Sequence, residues 1–102
     1  MLCDGTGTPL RLLPWTTPDG RPCYLSTDDP GGLLSTLADA VEAELLTSAE
    51  EVLGLARGLI AEPGAHGREL RFTGVRLAEA LQDALRIAES RGARLVVAER
   101  VT

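Results

Sequence analysis

From Leu34 to Leu59 one row of residues recurs at alternating spacings of four and three: Leu34, Ala38, Val41, Leu45, Ser48, Val52, Leu55 and Leu59. That period keeps side chains on one face of an α-helix, whereas a strand would scatter them over both of its faces. Only Ser48 departs from the apolar pattern. Ser48 with Glu51 three residues on has the form of a capping box, but the hydrophobic phase continues through it, so a single helix is predicted over 33–61. A second row, Leu46, Ala49, Leu53, Ala56 and Ile60, widens the apolar face. One partner helix covers one row and leaves the other in water, which a monomer rarely tolerates over a large patch. Leu46, Leu53 and Ile60 are therefore candidate interaction residues, and the expected form is a homodimer in which two helical hairpins make a four-helix arrangement.

Punctuation sets the remaining elements. Glu62-Pro63-Gly64-Ala65-His66-Gly67 stops the first helix, and a second is predicted over 68–91 with Leu70, Gly74, Leu77, Leu81, Ala84, Leu85 and Ala88 inward. Gly92 stands where a helix-ending glycine belongs, and Arg91 suits the negative end of the helix dipole. Residues 94–98 are β-prone and predict a short strand. Upstream, residues 1–9 predict a loop and 10–27 a β-hairpin, turned by Thr17-Pro18-Asp19-Gly20. Pro14 and Pro22 cannot donate ladder hydrogen bonds, which rules out a long or central strand at those points. The fold class is α+β, mostly α: an antiparallel two-helix hairpin with a short N-terminal β-hairpin and a C-terminal β-strand, as one domain over 1–102.

Composition narrows the function. The chain has 102 residues, three aromatics (Trp15, Tyr24, Phe72), ten Arg, no Lys and a net charge of −5. Residues 28–62 hold eight acids against Arg57 alone, while residues 63–102 hold seven Arg against five acids. The acidic centre repels phosphate and disfavours nucleic acid as a partner; two helices packed with complementary rims account for the asymmetry. No apolar run approaches the ~20 residues of a membrane helix. With no charged and apolar leader at its start, the chain is expected to be cytoplasmic.

The residues with chemical potential are few. Cys3, Cys23 and His66 are the soft metal ligands, and they lack the paired spacing of a structural zinc site. Cys23 is expected as a small buried hydrophobe, Cys3 as incidental and His66 as a solvated turn residue. Gly5-Thr6-Gly7-Thr8 lacks the Lys-Ser/Thr ending of a phosphate loop, and Asp4-Gly5-Thr6 lacks the second aspartate of an aspartyl-phosphate site. Adjacent residues on a helix point apart, so Glu50 and Glu51 cannot converge on one atom. Asp28 and Asp29 suit a helix N-terminus. No catalytic residue, cofactor or metal is assigned. Trp15 and Tyr24, on the hairpin, are either a binding surface or a lid over the helical core.

The stretches Trp15-Thr-Thr-Pro-Asp-Gly-Arg-Pro-Cys-Tyr-Leu25 and Arg86-Ile-Ala-Glu-Ser-Arg-Gly-Ala-Arg-Leu95 resemble short uncharacterised proteins of actinobacteria, over most of the chain. The resemblance implies a high-GC, cytoplasmic setting and transfers no activity or site residue. The expected function is a small non-enzymatic homodimer, an interaction or regulatory module that meets itself and a further protein through helical faces. The alternative is a small-molecule- or metal-binding enzyme whose site forms between protomers.

Overall fold

The computed structural model describes residues 10–26 and 32–101. Its elements, in chain order, are strands β1 (Leu10–Thr16) and β2 (Pro22–Ser26) and helices α1 (Leu33–Ala61) and α2 (Gly67–Val101). The strands pair antiparallel, with Leu10 opposite Ser26 and Leu12 opposite Tyr24. The register then shifts, so that Thr16 meets Pro22. Pro14 sits inside that irregularity, where its missing N–H breaks no regular ladder bond.

The turn between the strands is built as its residues require. The Gly20 N–H donates to the Thr17 carbonyl at 2.9 Å and the Thr17 N–H to the Arg21 carbonyl at 2.9 Å. Gly20 has φ +86, a left-handed conformation that glycine enters without a Cβ clash. The Thr17 hydroxyl donates to Asp19 and accepts from the Arg21 N–H, closing the turn with side chains as well.

Helix α1 runs unbroken through Ser48 and stops where Pro63 forces the preceding residue out of helical geometry; Glu62 is extended, at φ −87 and ψ 118. Five residues later α2 begins, with the Leu70 N–H donating to the His66 carbonyl at 3.0 Å. So short a connection turns the chain back on itself, and α1 and α2 pack together as an antiparallel hairpin. The β-hairpin docks through β1, chiefly on α2 and also on α1.

Two expectations are corrected. Residues 94–98 are not a strand: α2 continues through Gly92 to Val101, 35 residues in all. One glycine costs a helix only about 1 kcal/mol, and Ala93, Arg94 and Leu95 beyond it are good helix formers. At 1.5 Å per residue such a helix is about 52 Å long, matching the 57 Å long axis of the molecule. The inward face of α2 is also turned from the one expected. Leu77 and Ala84 are partly covered, but Leu70, Gly74, Leu81, Leu85 and Ala88 are exposed, and the covered side is Thr73, Ala80, Ile87 and Ser90.

On α1 the covered row falls between the two predicted ones. Ser35, Ala38, Glu42 and Ala56 are buried, and Leu45, Ala49, Val52 and Leu59 are partly covered. These eight residues repeat at three and four without interruption. Half of them, Ser35, Ala38, Ala49 and Ala56, are small, and these are interspersed along the seam with longer side chains.

Candidate functional site

Two features stand out: a buried ionic cluster where the β-hairpin meets the helices, and apolar rows along the outside of both helices. The cluster centres on Glu42, which is 1% exposed. Its Oε1 accepts from Arg91 Nε at 3.3 Å and Arg94 Nη2 at 3.2 Å. Its Oε2 accepts from Arg94 Nη1 at 3.3 Å and Arg11 Nη2 at 3.2 Å. Arg11, itself buried, also donates to Asp39 Oδ1 at 2.7 Å and to the Ser35 carbonyl at 3.1 Å, while its Nε has no partner. Ser90 donates to the Leu12 carbonyl at 2.7 Å and accepts from Arg94 Nη1 at 2.7 Å. One carboxylate thus ties β1, α1 and α2 together.

Burial alone raises the pKa of the Glu42 carboxyl. Hydrogen bonding and charge from Arg94, then from Arg11, outweigh it and hold the group below its usual range. Both oxygens are occupied by guanidinium donors, so the carboxylate is ionised and has no lone pair placed for a substrate proton. The cluster is suited to fixing three elements against one another and unsuited to acid–base chemistry. Sequence reading anticipated opposite charge between the two helices but not its concentration at one residue. The signals were Glu42 in phase with Ser35, Ala38 and Leu45, and Arg11 inside the apolar run Leu10-Arg-Leu-Leu13.

Among the described residues, the charge along the rest of the helices is not paired across them. Arg76 contacts Glu79 and Arg86 contacts Asp83, both within α2, and among the described residues Glu44, Glu50, Glu51, Arg68 and Arg71 form no ion pair.

The predicted interaction residues divide. Leu53 is exposed and Ile60 is 71% exposed, while Leu46 is half-buried; the three are spaced by seven along α1. On the hairpin, Trp15 is half-buried and Tyr24 exposed. Cys23 is a free thiol, partly covered, and His66 is exposed in the loop between the helices. Cys3, the Gly5–Thr8 stretch, Asp28 and Asp29 lie outside the described residues. Among the described residues, no three of His, Cys, Asp and Glu gather as a metal site, and no helix is long and apolar enough to cross a membrane.

More apolar surface is open than Leu53 and Ile60 supply. Leu55, Leu70, Phe72, Leu81, Leu85 and Leu95 are all exposed as well. Comparison with protein-family models, curated proteins and solved structures finds no match to this chain.

Proposed function

We propose that the protein is a small non-enzymatic homodimer, an interaction or regulatory module that works through its helical faces. The observation that carries the reading is the apolar rows left open on both helices, Leu53 and Ile60 on α1 and Leu70, Leu81 and Leu85 on α2. Burying a Leu-sized side chain gains roughly 1.5–3 kcal/mol, so a handful per protomer supplies a clear driving force for self-association. In the buried polar cluster, the Glu42 carboxylate is saturated by its own chain's donors, which favours a structural role for it over a catalytic one.

Native mass spectrometry of the purified protein tests both parts of the reading. The expected spectrum is a dimer of bare chains. A monomer would remove the dimer, and a dimer carrying a stoichiometric metal or metabolite would favour an enzyme with a site between protomers.

A further inference from the structure

The outer face of α2 carries a heptad row that no described residue covers. Gly74, Ala78, Leu81, Leu85, Ala88 and Gly92 follow at spacings of four, three, four, three and four; all are exposed and none is charged. Leu81 and Leu85 each stand 61% open. Read outward from Asp83 the row is the same in both directions: Leu81 matches Leu85, Ala78 matches Ala88 and Gly74 matches Gly92. A two-fold interface demands that kind of self-matching, since residue i contacts j and j contacts i. With Ala78, Leu85 and Gly92 as heptad a positions and the other three as d, each matched pair becomes one a–d layer of an antiparallel helix pair.

Within the chain no neighbouring element lies within 4 Å of the missing Cβ of Gly74 or Gly92, as is also true of Gly54 and Gly58 in α1. The monomer has no packing use for either, although glycine is among the poorest residues for a helix interior. A second helix seated on the row gives both a use, because two backbones approach closely where side chains are absent.

Resting on the homodimer reading, we infer that the second copy docks on this row, α2 against α2 in antiparallel sense, with the two-fold axis passing between Leu81 and Leu85. Charge separates this arrangement from its rival. The outer row of α1 that holds Leu46, Leu53 and Ile60 is interrupted at the same spacing by Asp39, Glu50 and Arg57. The α2 row brings no charge into its layers, and the α1 residues flank the contact.

Disulfide trapping tests the register in the full-length chain carrying Cys3→Ser and Cys23→Ser, with circular dichroism confirming that helicity is kept. Under mild oxidation the Ala78→Cys/Ala88→Cys chain is expected to convert mostly to covalent dimer. Ala78→Cys alone is expected to convert little, because its own copy lies ten residues along the pair, about 15 Å away. If Leu53→Cys traps efficiently and the double variant does not, the dimer stands and this arrangement is overturned. If light scattering gives a monomer for the untrapped parent at every concentration, the dimer and the arrangement fail together.

Discussion

Arg94 grips Glu42 as a fork, with Nη1 on one carboxylate oxygen at 3.3 Å and Nη2 on the other at 3.2 Å, across 52 residues of chain. Two parallel bonds between planar groups fix orientation as well as distance. Arg11 adds β1 to the same carboxylate. The hairpin is thereby tied to the helical pair by charge, beside the buried Leu12 and Leu13 of β1.

Truncating the centre of this cluster should be costly. Glu42→Ala leaves the buried Arg11 with Asp39 and the Ser35 carbonyl but without its buried carboxylate, a change worth about 3 kcal/mol, the low end for breaking a buried pair. Urea denaturation should show the midpoint falling with little change in slope. A loss below 1 kcal/mol would mean that water compensates Arg11.

The same residue sets a pH dependence. The carboxyl of Glu42 titrates lower in the folded chain than in the unfolded one, whose value is about 4.3. Its contribution is therefore fully present above that unfolded value and is lost as pH falls through the lower folded value. Stability of the wild-type chain should decline on acidification below about pH 4.3. The Glu42→Gln variant should lack that component and decline less steeply; parallel curves would contradict the assignment.

Arg91 is half exposed and gives Glu42 one bond, while Arg94 gives two and also holds Ser90. Arg94→Ala should therefore lower the melting temperature more than Arg91→Ala. By the usual relation of about 4–8 °C per kcal/mol for a domain this size, a difference of several degrees is expected. Equal shifts would show that the fork geometry adds nothing.

Trp15 is half-buried on β1, whereas Tyr24 on β2 is exposed. Trp15→Ala should cost about 2 kcal/mol, below the ~3–5 kcal/mol of a fully buried aromatic, and Tyr24→Ala clearly less. Thermal melts of the two variants check the order; a larger loss from Tyr24→Ala would place the lid on the wrong strand.

Local chemistry made much of the fold legible. Thr17-Pro18-Asp19-Gly20 announced the hairpin turn, and Pro63 announced the end of α1. Where the fold was not legible, it depended on partners distant in sequence. Gly92 has the look of a helix stop, but Arg91 and Arg94 on either side of it reach Glu42 in α1, and those contacts lie on a helix that passes through it. Glu42 counts only as one of the eight acids of residues 28–62 until Arg11, 31 residues upstream, is brought beside it. Leu53 and Ile60 were identifiable as surplus apolar surface because helical period and helix count are both local quantities. Leu81 and Leu85 were assigned inward instead, since sequence spacing does not say which face a neighbouring helix covers.

Self-association is read by sedimentation equilibrium of the wild-type chain over nanomolar to micromolar concentrations. A mass twice 10.8 kDa is expected at micromolar concentration, and a folded, helical monomer at the same concentration for Leu81→Glu. A wild-type mass of 10.8 kDa that does not change with concentration would contradict it.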